Sequence, residues 1–96
     1  MKILAIEKEV PSPENDDFRP YLKPEAARVW ELQQAGIIRE IYFTKGSHYA
    51  VIILECSNVN ETKEVLSSLP LVKAGLIEFE VLPLMPYDGF ARLFGE

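Results

Sequence analysis

Apolar positions recur along this chain with two periods, one of about two residues and one near three and a half, and the two alternate in blocks. Lys2 to Glu9 carries Ile3, Leu4, Ala5 and Ile6 as a continuous apolar run, which predicts a central strand covered on both faces. Leu22, Ala26, Val29 and Leu32 then return at helical spacing. They predict a first helix from Leu22 to Ala35, with Pro24 in its first turn and Gly36 at its C-terminal cap. Two apolar strands follow between Ile37 and Glu55, IIREIYF and HYAVIILE, joined through Thr44-Lys45-Gly46-Ser47. Such a turn, whose glycine can take positive φ, predicts a hairpin. A second helix is expected from Val59 to Leu69. Asn58 and Glu61 stand at capping-box spacing, Thr62, Val65, Leu66 and Leu69 point inward, and Pro70 acts as the stop. Leu76 to Leu84 closes the series as a strand in which Ile77, Phe79 and Val81 alternate with Glu78 and Glu80.

The resulting β-α-β-β-α-β order predicts an α+β fold of the ferredoxin-like kind. It is a single domain with a four-stranded antiparallel sheet and two helices on one face. The hairpin is apolar on both sides: Ile37, Ile41 and Phe43 alternate with Ile38 and Tyr42, while Ala50, Ile52 and Leu54 alternate with Val51 and Ile53. A sheet facing solvent would not carry so many large apolar side chains, so at least a homodimer is expected, with two sheets face to face in a dimeric α+β barrel. The tail 85–96 holds Tyr87, Phe90, Leu93 and Phe94 and is expected to pack on the domain or on a partner subunit. Val10 to Pro20, with three prolines and the acids Glu14, Asp16 and Asp17, reads as a surface loop.

Composition narrows the function. A length of 96 residues suits one domain, and a net charge of -5 with scattered basic residues argues against nucleic acid as a partner. Cys56 is the single cysteine, which excludes a disulfide within the chain and a thiolate metal cluster. It lies at the opposite end of a predicted strand from His48, roughly 25 Å away at strand rise, so the two do not pair. No metal motif, phosphate loop or nucleophile elbow is present. Neither a signal-peptide segment nor a run of membrane-spanning length occurs, and a cytoplasmic protein without a membrane partner is expected.

Six residues carry candidate chemistry. His48, the only histidine, is of the residue type suited to general acid–base work, or else simply borders an exposed turn. Tyr49 and Tyr42 offer hydroxyls to a ligand oxygen, although tyrosine is also a good strand former. Arg39 on an apolar strand needs either a ligand anion or a carboxylate from Glu40, Glu78 or Glu80. Glu25 is favourable at a helix N-terminus, and also placed to reach a sheet–helix cleft as a base. Trp30, off the centre of the first helix's stripe, borders the core, a ligand pocket or a subunit interface.

The segments ELQQAG (31–36), SHYA (47–50), SSLPL (67–71) and EFEV (78–81) resemble the muconolactone isomerase family, over roughly residues 25 to 81. The resemblance implies the ferredoxin-like fold, dimeric α+β barrels that assemble further, and a proton shift within an unsaturated lactone without a cofactor. It matches Glu25 to an acidic position at the start of the family's helix and His48 with Tyr49 to its His-Tyr pair. Arg39 matches an arginine of the second strand with one residue inserted in the turn. Val51-Ile52-Ile53 stand where the family pattern reads Asn-Tyr-Ser, and the tail lacks its His-Pro ending. Three functions remain open on this reading. The first is an isomerase in which Glu25 or His48 moves the proton while Tyr49 or Arg39 stabilises the enolate oxygen or holds a substrate carboxylate. The others are a non-catalytic oligomeric module that binds a small apolar ligand, and a cofactor-independent monooxygenase using Trp30 and His48.

Overall fold

Lys2–Glu9 forms β1, and its alternation places Ile3, Ala5 and Glu7 on one face and Leu4, Ile6 and Lys8 on the other. In the computed structural model, which describes residues 1–10 and 17–95, β1 lies between two antiparallel neighbours, β3 (Ala50–Glu55) and β4 (Ile77–Pro83). β2 (Ile38–Phe43) pairs with β3, and the sheet order is β2-β3-β1-β4. The helices are α1 (Arg19–Gln34), α2 (Val59–Ser67) and the short α3 (Pro70–Lys73). The expected α+β fold is therefore present, with both crossovers spanning an intervening strand. Part of the expected loop, residues 11–16, lies outside the described residues.

Local chemistry explains the element ends, and three of them depart from expectation. α1 starts three residues earlier than the apolar stripe implied. The Asp17 carboxylate accepts the Arg19 N–H at 3.1 Å and the Arg19 guanidinium at 2.9 Å, and Pro20, not Pro24, occupies the first turn. Pro24 sits inside the helix and removes one ladder donor there. The second helix ends at Ser67, and Pro70 opens α3 instead of stopping a continuous helix, because a proline fits the first turn of a new one. The predicted Asn58 cap is made, its side chain accepting the Glu61 N–H at 2.8 Å. α1 and α3 terminate alike: Gly36 and Gly75 take positive φ, and the N–H groups of Ile37 and Leu76 reach back to the carbonyls of Leu32 and Leu71 at 3.0 Å.

The third departure lies in β2. Ile38 pairs with Leu54 but Glu40 pairs with Ile53, so Arg39 is the extra residue of a bulge. The bulge resets the alternation: Ile38, Ile41 and Phe43 share the helix-covered face, with Glu40 and Tyr42 on the opposite one. Arg39 makes no hydrogen bond to Glu40, Glu78 or Glu80; its charge acts instead on Glu55 of β3. Its Nε donates to the Gly36 carbonyl at 2.6 Å and ties the bulge to the end of α1.

Burial falls off along the sheet. At one end Ile3, Ala5, Ile38, Ile52 and Leu54 are sealed by Leu32 of α1 and by Leu66 and Leu69. At the other end the same face carries Glu7, Ile41 and Phe43, and the N-terminal half of α1 stands above it with Leu22 exposed and Val29 half-buried. The main core thus lies where β1 begins and α1 ends, and a second, smaller cluster of Leu71, Leu76 and Ile77 receives Phe18 and Tyr21 from the start of α1.

The face away from the helices is open. Leu4, Ile6, Val51 and Ile53 form its half-buried apolar centre, flanked by Glu40 on one side and Glu78 and Glu80 on the other. Beyond Leu84 the chain leaves the sheet as an arm with a 3-10 turn at Gly89–Leu93, and Met85, Leu93 and Phe94 are 73% exposed or more. The radius of gyration, 15.8 Å, exceeds the roughly 12 Å of a compact chain of this length.

Two outcomes are expected. Leu54→Ala, at a fully buried position, should cost about 2–5 kcal/mol in urea unfolding. Light scattering should return a dimer or larger for the wild type, and Ile53→Glu should yield monomer; a monomeric wild type would rule out face-to-face packing of the open sheets.

Candidate functional site

The divergence of α1 from the sheet leaves a cleft of about 420 Å³, within the size range of small-molecule sites. Its floor comes from Ile41 and Phe43 of β2, Ala50 and Ile52 of β3, and Ile77 and Phe79 of β4. Its roof comes from Leu22, Ala26, Val29 and Trp30 of α1, with Leu71 of α3 at one side. The apolar stripe that predicted α1 is therefore fully buried only at Leu32; Val29 packs against the core and also lines this cleft, as do Leu22 and Ala26.

Two carboxylates enter the apolar lining. β1 and β3 stop pairing after Ile6 and Val51, and the Glu7 side chain then takes the next donor, its Oε1 accepting the Ala50 N–H at 2.9 Å. From the roof, Glu25 Oε1 accepts the Leu71 N–H at 2.9 Å. Pro70 has no N–H, so Leu71 offers the first free donor of α3, and Glu25 serves as a cap supplied from another helix. Burial pushes the Glu25 carboxyl above the ordinary glutamate value of 4.5; the Leu71 bond opposes that shift, and the negative charge of Glu7 adds to it. Gln33, one turn after Trp30, completes the polar lining.

The cleft brings together three of the six sequence candidates. Glu25 and Trp30 line it, and Tyr42 borders it. The Tyr42 hydroxyl, however, donates to Glu40 Oε1 at 2.6 Å on the opposite face, and that bond holds the phenol pKa up. His48, Tyr49 and Arg39 are not among the lining residues. His48 is exposed and stacks on Phe43 with ring centroids 3.9 Å apart, which leaves it one ring removed from the cleft. Its φ of 59° is in the left-handed region, a strain of about 1–2 kcal/mol for a residue with a Cβ. The turn is held by the Thr44 carbonyl accepting the His48 N–H at 2.9 Å and the Thr44 Oγ1 accepting the Tyr49 N–H at 2.9 Å.

Glu7 and Gln33 are the site residues that sequence reasoning missed. The alternation of β1 places Glu7 on the same face as Ile3 and Ala5, and that parity was the available signal. Among the described residues no cluster of three or more metal-ligating side chains occurs, and no helix is long and apolar enough to cross a membrane.

The raised Glu25 carboxyl gives a signed expectation. Its charged form is disfavoured by folding, so this cost is greatest above the folded pKa and is relieved as pH falls through it toward 4.5. Glu25→Gln keeps the oxygen for Leu71 and removes the charge. In thermal melts it should match or exceed the wild-type Tm at neutral pH, with the difference closing on acidification. Glu25→Ala should instead lose about 1–3 kcal/mol, because the Leu71 N–H is left without its acceptor.

The profile of the muconolactone delta-isomerase family matches residues 4–89. Among solved structures, one of muconolactone isomerase is similar with a TM-score of 0.72, at 19% identity and over 92% of each chain. Another is 5-chloro-2-hydroxyhydroquinone dehydrochlorinase from Burkholderia phenoliruptrix AC1100, in complex with 2,5-dihydroxybenzoquinone. Its TM-score is 0.67 at 19% identity, over 93% of this chain and 98% of that one. At such identities the likeness is one of fold, and the two proteins are named for different reactions on small molecules. No curated protein sequence matches the chain. Since the family profile spans nearly the whole chain, from the first strand into the arm, the chain belongs to the muconolactone delta-isomerase family.

Proposed function

We propose that the cleft is the active site of an isomerase that shifts a proton within a small unsaturated lactone or enone, with Glu25 as its base. The observation that carries this reading is a carboxylate set in an apolar cleft of small-molecule size, its pKa raised above the ordinary glutamate value by burial. Family membership supports the same class of reaction. A base of this kind removes a proton next to a carbonyl; the C–H electron pair moves into the conjugated enolate, and the proton returns at the vinylogous carbon as the double bond migrates. No atom is gained or lost. The Gln33 amide is the lining donor suited to the enolate oxygen. His48 keeps a lesser part, supporting the wall through Phe43.

The position of His48 and Tyr49 outside the lining favours a second reading, in which the cleft binds a small apolar ligand without turning it over. A panel of unsaturated lactones and enones, followed by the absorbance change of double-bond migration, separates the two. On the isomerase reading Glu25→Gln should lower turnover about a hundredfold or more, while His48→Gln changes it far less. Binding without turnover across the panel would support the second reading, and equal turnover by wild type and Glu25→Gln would eliminate Glu25 as the base.

A further inference from the structure

We infer that Arg28 and Ser68 form a positioning pair for Glu25. Their hydrogen bond sets the turn between α2 and α3 against α1, so that the Leu71 N–H meets Glu25 Oε1. The inference takes Glu25 as the base from the reading above and adds what holds that base in place.

Two polar rungs join α1 to this turn. Glu25 Oε1 accepts the Leu71 N–H at 2.9 Å, and Arg28 Nε donates to Ser68 Oγ at 2.9 Å. Glu25 and Arg28 stand three residues apart on α1, and so are neighbours on one face of the helix; Ser68 and Leu71 stand three residues apart on the turn. The rungs therefore run in antiparallel order, and each limits the freedom of the other. Around them Val29 and Leu32 of α1 pack in the same cluster as Leu66, Leu69 and Val72.

Ser68 is suited to this part. It caps the C-terminal end of α2, and its hydroxyl donates its proton to the Val65 carbonyl at 2.5 Å. Only lone pairs remain on Oγ, so its bond with Arg28 has one direction, from Nε to Oγ. Arg28 is held at a second point, Nη1 donating to Glu31 Oε2 at 3.1 Å. A long side chain anchored twice acts as a spacer of defined length. Between Ser68 and Leu71 lie only the fully buried Leu69 and Pro70, whose ring fixes its φ, so a movement at Ser68 is carried on to Leu71. Arg28 itself is not among the lining residues of the cleft; its effect on Glu25 passes through the turn.

The test follows the Glu25 carboxyl by carbon-13 NMR, its signal assigned by loss in Glu25→Gln. The Leu71 bond opposes the rise that burial causes, so loosening it moves the titration midpoint further up, by about half a unit to one unit for the net worth of one hydrogen bond. Ser68→Ala should give that shift, and the Leu71 amide should exchange with solvent about two- to tenfold faster. Ser68→Thr, which keeps the hydroxyl, should retain both wild-type values. The ionisable groups on the elements around Glu25 are Glu7 on β1, Tyr42 on β2, Tyr21, Lys23 and Arg28 on α1, Lys73 on α3, and Lys45 and His48 in the hairpin turn. Ser68→Ala alters none of these, nor any that a second copy brings, so its shift reports position and not charge. Arg28→Met should move the midpoint at least as far, and the double variant no further than Arg28→Met alone. With a lactone that turns over, Ser68→Ala should lower kcat about tenfold while KM moves far less.

An unchanged midpoint and Leu71 exchange rate in Ser68→Ala would overturn the inference, as would a shift confined to Arg28→Met or an unchanged kcat. The NMR readouts need no substrate, so a lactone panel without turnover would overturn the reading of Glu25 as a base and leave the pairing intact. Should Ser68→Ala not fold, the wild type decides: its Arg28 Nε–H should be protected from solvent exchange at neutral pH, and exchange at the rate of a free arginine would overturn the inference.

Discussion

The contact between the C-terminal end of α1 and the buried end of the sheet is the constraint on which the cleft depends. Leu32 is clamped there against Ile38 and Leu54, and the glycine-terminated end of the helix is tied to the sheet through the Arg39 bulge. At its start α1 rests on the second cluster through Phe18 and Tyr21, against Leu71, Leu76 and Ile77, and the cleft opens between the two anchor points. Glu7 stands where the cleft begins, at a position on β1 that an apolar side chain would otherwise use to continue the core. A cleft with a carboxylate at its base is thus a direct product of how α1 is held.

Glu25 shows how closely support and chemistry overlap in so small a domain. The same carboxylate that the cleft exposes also gives α3 an acceptor for its first N–H. Removing that side chain would loosen the side wall as well as the base. A neutral isostere separates the two roles, because an amide oxygen still accepts a hydrogen bond but cannot take up a proton at neutral pH.

Much of the architecture was legible from the sequence because it depends on period and on glycine. The two apolar periods, the Gly36 and Asn58 signals and the alternation of β4 each have a local physical cause, and each reappears in the structure. What was not legible depends on contacts distant in sequence. Nothing in IIREIYF marks Arg39 as an extra residue, since a bulge is seen only against the register of its partner strand. The stripe from Leu22 to Leu32 reads as uniform core, yet only the register of α1 on the sheet decides which members are sealed. His48 illustrates the converse. A conspicuous local signal, one histidine beside a turn, leads to a stacked ring outside the lining, whereas Glu7 carried no signal beyond its parity.

Pro24 gives the roof of the cleft an unequal stiffness. Its missing N–H removes one rung from the helix where Leu22 and Ala26 stand over the opening, and Phe18 at the N-cap contributes no side-chain bond. The first turns of α1 are also its least buried, whereas its last turn is locked by Leu32 and Gly36. Phe18 and Tyr21 pin the start of the helix on Leu71, Leu76 and Ile77, so the missing rung falls between two anchored points. The roof over the cleft is therefore held by side-chain packing at both ends and has a backbone ladder with one rung fewer between them.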